Sequence, residues 1–336
     1  MTAPQRIVTF GEAMVRLTPP FNERLERATS LNLTCGGAEL NVAVTAACLG
    51  HDATWVSALP DTPLGRVIMR AGRGHGVDMS RVSILPESAG RTGVYFLEEG
   101  TDPRPSAVYY DRARSVMAQL ESGAFDWPAL LSSAAAFMVS GITPALGAGA
   151  RAETMAAIGA ANAARIPVFF DLNYRSKLWT EAEARACFID LAPLVDVMFA
   201  SRTGLETFFG ITGDEHDDVM LKACQRLGLA ACVLTRKKGK QSRSQRMAAT
   251  SALANGQVTA TDWTEVEIVD RVGGGDAFAG GFIVGYLEQP ENPAFALELG
   301  LAASALKHTM AGDFLAATRA EVEAAMIARE GGALQR

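Results

Sequence analysis

The residues best able to do chemistry stand together in one run, Asp270-Arg271-Val272-Gly273-Gly274-Gly275-Asp276-Ala277-Phe278-Ala279-Gly280-Gly281-Phe282. Three glycines separate a strand-like segment from an apolar helical pattern. Without Cβ atoms, Gly273, Gly274 and Gly275 can turn tightly and aim several backbone N–H groups at one point. The helix start adds roughly half a positive charge there. Such a nest suits a phosphate or a developing oxyanion. Asp276, at the head of the helix, can cap those N–H groups or take a proton from a ligand. Two known phosphate loops do not fit. A dinucleotide-binding GxGxxG starting at Gly273 needs glycine where Phe278 stands. The GK pair Gly239-Lys240 is followed by Gln241, and Leu234 occupies the place of the first glycine of a Walker A loop.

A second glycine pair lies far upstream, in Gly36-Gly37-Ala38-Glu39-Leu40-Asn41-Val42-Ala43-Val44, and opens a helical pattern from Ala38 to Leu49 that Gly50 ends. Elements must bring the two motifs together. Ile7–Phe10, Ala53–Leu59, Ala136–Ser140, Val168–Leu172, Val195–Ala200, Cys232–Thr235 and Glu265–Val269 read as buried strands. Helical patterns at 64–75, 149–164, 181–192, 202–209, 217–227, 275–288, 293–310 and 318–328 fall between or after them. This alternation predicts an α/β fold, a mostly parallel sheet with helices on both faces. Val94–Leu97 and Ala107–Tyr110 predict a hairpin outside the alternation. With 13–35 they form a small β-rich element, a candidate lid, inserted in a single domain over 1–336.

Composition narrows the function. Apolar residues make up 49% and charged residues 20% of the 336, enough for a large core. The net charge of −6 argues against nucleic acid or an anionic membrane held by bulk charge. Five scattered cysteines and four separated histidines give no metal-binding pattern and fit a reducing, cytoplasmic setting. The uncharged stretch 127–150 holds serines, a proline and glycines and reads as a buried helix, strand and turn rather than a membrane span.

Taken together, the two glycine motifs resemble the paired signatures of the ribokinase/PfkB superfamily of carbohydrate kinases, in the expected order and over nearly the whole chain. Phe170-Asp171-Leu172-Asn173-Tyr174-Arg175-Ser176-Lys177-Leu178-Trp179, Ser140-Gly141-Ile142-Thr143-Pro144, Tyr110-Asp111-Arg112 and Gly312-Asp313-Phe314 are similar to stretches of its 2-keto-3-deoxygluconate kinases. The resemblance implies a ribokinase-like fold and transfer of the ATP γ-phosphate, with Mg²⁺, to the terminal hydroxyl of that sugar acid. Fructose or 5-keto-2-deoxygluconate are alternative acceptors. A non-catalytic sugar-binding protein on the same fold is the alternative from another class.

The implied roles follow residue by residue. Asp276 is the proton acceptor, and Gly273, Gly274 and Gly275 receive phosphoryl oxygens. Gly37, Asn41 and Asp313 meet sugar hydroxyls, Tyr95 and Tyr110 cover the ligand, and Arg112 and Arg175 face its carboxylate or a phosphate. Asn173, Ser201 and the segment Thr235, Lys237, Gly239 lie on the nucleotide side. An NxxE metal motif is missing: the corresponding stretch reads Ser201-Arg202-Thr203-Gly204, with Glu206 two residues late, so no metal ligand is named. Lys237 stands where relatives place glycine. The basic run around it is either a solvated loop or a source of phosphate contacts. Relatives also imply a homo-oligomer, a dimer or larger, paired through the lid strands.

Overall fold

The computed structural model describes residues 3–101, 103–238 and 244–328. Among these, the main sheet has ten strands. Its order runs Val258–Ala260, Ser244–Leu253, Ala231–Lys238, Val197–Phe199, Val168–Asp171, Ala136–Ser140, Arg6–Phe10, Asp52–Pro60, Val82–Leu85, and Thr264–Glu267 also pairs with Ser244–Leu253. From Ala231–Lys238 to Val82–Leu85 every pairing is parallel; beyond Ala231–Lys238 the pairings are antiparallel. The central strands are mostly apolar on both faces because helices cover both sides of the sheet. Ile7, Val8, Phe10, Phe137, Val168, Phe169 and Phe170 are all fully buried. No described helix is long and apolar enough to cross a membrane.

The segments 13–35 and 91–112 meet as expected in a separate four-stranded sheet, ordered Asn32–Gly36, Met14–Thr18, Val94–Glu98, Ala107–Asp111. Three strands, Val82–Leu85, Ser244–Leu253 and Val258–Ala260, were not expected from sequence. The longest of them, SQRMAATSAL, is rich in alanine and serine, which carry little β signal; pairing with a long neighbour makes it a strand.

Two helices carry the glycine motifs, Ala38–Cys48 and Gly274–Glu288. They lie close because the second presents glycine where they touch: a Cβ on Gly280 would fall 2.7 Å from Cβ of Thr45. On its other side, Gly281 faces Gly300 of the helix Pro293–His308 just as tightly. This close packing brings the heads of the two motif helices together.

Candidate active site

The glycine turn is built by Asp270. Its Oδ1 accepts the Val272 N–H at 3.0 Å and its Oδ2 the Gly312 N–H at 2.9 Å. The three glycines then have different reasons to be glycine. Gly273 sits at φ +83°, and a Cβ there would lie 1.9 Å from the Asp313 carbonyl oxygen. A Cβ on Gly274 would strike the His308 ring at 2.1 Å. A Cβ on Gly275 would meet nothing within 4 Å. The first two let the turn pack, and the third leaves the helix N-terminus open to a ligand. The first N–H groups of a helix have no partner within it; here the Gly274 N–H donates back to the Arg271 carbonyl at 3.4 Å, and Gly275 lies at the opening.

Asp276 stands beside this opening. Its Oδ2 accepts the Asn41 amide at 2.6 Å, while Asn41 Oδ1 accepts the Gly37 N–H at 3.2 Å. Asn41 therefore links the head of its own helix to the acid of the other motif. Burial pushes the Asp276 carboxyl up to about 6, against the Asn41 bond and the Arg175 charge, which favour the ionised form. Asp171, at the end of its strand, is pushed up to about 7 by burial and then by the Asp276 charge, with Arg175 opposing. It also accepts the Asn173 N–H at 3.1 Å, which holds Asn173 at φ +33°. Arg175 is exposed, and its charge favours the ionised form of both carboxylates.

A cavity of about 440 Å³ opens at the carboxyl ends of three parallel strands, where Asp171, Phe199 and Val233 are in register. Gly275 forms part of its floor, and Asn173, Ser201 and Thr235 line it with the apolar faces of Leu172, Phe199, Phe208 and Phe278. Ser201 Oγ also caps the helix Arg202–Phe209 by accepting the Gly204 N–H at 3.0 Å. An apolar slot ending at a helix N-terminus fits a flat base at one end and phosphates at the other. Lys237 lies on the same strand as Thr235 but is not part of the cavity wall. Gly239 is outside the described residues.

The expected sugar-side residues are brought near the turn, but several already hold one another. Tyr95 is buried and its hydroxyl donates to Asp313 Oδ2 at 2.6 Å. Asp313 Oδ1 binds Arg16 Nη1 at 2.9 Å, and Arg16 Nη2 binds Asp270 Oδ2 at 2.7 Å. Burial pushes the Asp313 carboxyl up, against the Arg16 charge. Arg112 pairs with Glu12, and its guanidinium lies 5.9 Å from the centre of the partly exposed Tyr110 ring. Arg16, Glu12 and Lys307 went unread in the sequence. Arg16 sits in a short strand, where a lone cation reads as solvent-facing, and only the fold reveals its carboxylate partners, Asp270, Asp313 and, at 3.6 Å, Glu99.

The sequence matches the pfkB family carbohydrate kinase model over residues 4–316. It is 38% identical to a 2-dehydro-3-deoxygalactonokinase of Haloferax volcanii, over 99% of both chains. It is 30% identical to a 2-dehydro-3-deoxygluconokinase of Thermoproteus tenax, over 91% of this chain and 89% of that one. Its structure superposes on the crystal structure of a 2-dehydro-3-deoxygluconokinase from Thermotoga maritima with a TM-score of 0.92 and 35% identity, covering 96% of this chain and 98% of the other. That likeness bears out the ribokinase-like arrangement of a mostly parallel sheet with a small second sheet. With an open helix N-terminus, an adjoining half-buried carboxylate and a match spanning most of its length, the chain belongs to the PfkB family of carbohydrate kinases, phosphotransferases that use ATP.

Proposed function

We propose that the protein transfers the γ-phosphoryl group of ATP to the terminal primary hydroxyl of 2-keto-3-deoxygluconate, giving the 6-phosphate. The observation that carries this reading is the open Gly275 corner beside Asp276, on the floor of the cavity. Asp276 accepts the proton as the acceptor O–H bond breaks. The acceptor oxygen bonds to phosphorus, the bond from phosphorus to the bridging oxygen breaks, and ADP leaves. Because the transition state is loose, the proton can depart late, so position and charge matter more than base strength. The N–H groups of the 273–275 turn steady the charge on the moving phosphoryl oxygens. Arg175, exposed and with a charge that favours the ionised forms of Asp171 and Asp276, is the cation for a phosphate or the sugar carboxylate. Gly37 and Asn41 keep one face of the sugar site. Tyr110 and Arg112 close it from the small sheet, which we read as a lid within one domain.

ATP brings magnesium, whose role is to neutralise phosphate charge. Among the described residues no cluster of three or more His, Cys, Asp or Glu side chains is placed to cage a metal. A cation held mainly by phosphate and water needs only one or two carboxylates, and Asp171 on the cavity wall fits that demand. The reading extends to a cytoplasmic protein that pairs through its small sheet, where Leu33 and Tyr109 are exposed.

The second reading is the C4 epimer, 2-keto-3-deoxygalactonate, favoured by the 38% identical relative named for it. ADP release should be measured with both epimers, fructose and 5-keto-2-deoxygluconate. The proposal expects turnover with one or both 2-keto-3-deoxy acids and phosphate on the terminal carbon. Turnover confined to another sugar, or none, would refute it.

A further inference from the structure

The buried charges behind the glycine turn include one that the reaction outlined above does not use. Lys307, in the last turn of the helix Pro293–His308, is 0% exposed. Its ammonium donates to two backbone carbonyls, Met310 at 3.2 Å and Asp270 at 3.4 Å. Among the described residues no carboxylate lies within ion-pair distance of it. Burying a cation this way is costly, and an apolar side chain of similar size is the cheaper filling. The carbonyls it holds are informative. Asp270 begins the glycine turn. Met310 begins the loop through Gly312 and Asp313, and the Asp313 carbonyl packs on Gly273. Two carbonyl dipoles facing one point repel each other unless a cation lies between them.

We propose that Lys307 is a positioning residue for phosphoryl transfer, a tethered cation that clamps the Asp270 and Met310 carbonyls and so fixes the glycine turn relative to Asp276. This rests on the reading of that turn as the phosphoryl-receiving site. A corollary is that no free monovalent cation is needed for the same task. The charged groups that act on the ammonium are Asp270, Asp313 and Asp276, which favour its charged form, and Arg16, which opposes it, while Arg271 and Lys237 act on the neighbouring His308. His308 is itself held neutral, pushed down to about 4 mainly by burial. Burial also draws the Lys307 ammonium below the ordinary lysine range, while the carboxylates oppose that shift.

Lys307→Met keeps the length and removes the charge. It should lower kcat by about 100-fold while the KM for sugar and ATP changes far less, the signature of a misplaced reacting group. Its acid limb should also move to higher pH, because the Lys307 charge helps keep Asp276 ionised. In Lys307→Ala, added ammonium or potassium ions should restore part of the lost rate. Wild-type turnover should be the same whether the salt is potassium chloride or choline chloride. A Lys307→Met enzyme with unchanged kcat and pH profile would overturn the proposal. So would a wild type that requires potassium, a measurement that decides the matter even if both variants fail to fold. A wild type that phosphorylates no sugar would overturn the functional reading first, and this inference with it.

Discussion

The Asn41 amide donates to the Asp276 carboxylate at 2.6 Å, across 235 residues of sequence, and joins the two glycine motifs at one atom. That bond is charge-assisted and made to the ionised acid, so it opposes the burial that raises the Asp276 pKa. In the mechanism proposed above, the helix Ala38–Cys48 thereby helps set the protonation of the proton acceptor.

The pH profile follows from this bond. Asp276 must be ionised to accept a proton, and its carboxyl is pushed up to about 6, so kcat/KM should fall on the acid side near pH 6. Asp171, pushed up to about 7, titrates close by, so the limb belongs to the pair. Asn41→Leu removes the opposing bond and should move the limb to higher pH. Rate profiles of wild type and variant between pH 5 and 9 check both statements.

Stability should show the reverse trend. A carboxyl whose pKa is raised on folding contributes stability below its unfolded value, near 4, and loses it as pH rises through the folded value. For Asp276 that loss runs from about pH 4 up through about pH 6 and is complete above it. Asp276→Asn escapes the loss, so its stability relative to wild type should be greater at pH 8 than at pH 5. Urea unfolding at the two pH values measures this.

Arg16 tests the structural side of the network. It bridges Asp270 and Asp313 with almost no exposure. Arg16→Ala leaves two buried carboxylates uncompensated and should cost about 3–5 kcal/mol of folding free energy in denaturant titration. A cost within about 0.5 kcal/mol, as for a surface change, would show that the bridge contributes little.

The three glycines should separate by phenotype. Gly273→Ala forces a side chain into left-handed backbone and against the Asp313 carbonyl, and should destabilise by about 1–3 kcal/mol. Gly275→Ala meets no protein atom, so stability should change by less than about 0.5 kcal/mol. Its methyl group projects into the cavity and should lower kcat/KM for ATP by about tenfold or more. Paired thermal melts and kinetics distinguish the two cases.

These contrasts also mark what the sequence could reveal. The alternation of apolar runs and helical patterns was legible because buried parallel strands and amphipathic spacing are local properties. The glycine turn was legible for the same reason: its residues are contiguous. The distinct tasks of Gly273, Gly274 and Gly275 were not, since they depend on Asp313, His308 and open space. Tyr95 and Asp313 were expected at the ligand, and the structure shows them bonded to each other. Arg16 and Lys307 escaped notice because a buried cation announces itself only through partners distant in the chain. Ser244–Leu253 escaped because alanine and serine say little about strands.

The most direct measurement compares ATP-dependent phosphorylation of 2-keto-3-deoxygluconate by the wild type and by Asp276→Asn, which preserves shape and removes the proton acceptor. Loss of a positioned base should lower kcat by about 10²–10⁴-fold, with both substrates still bound. A variant that turns over at the wild-type rate would contradict the assignment of Asp276 and, with it, the mechanism built on this turn.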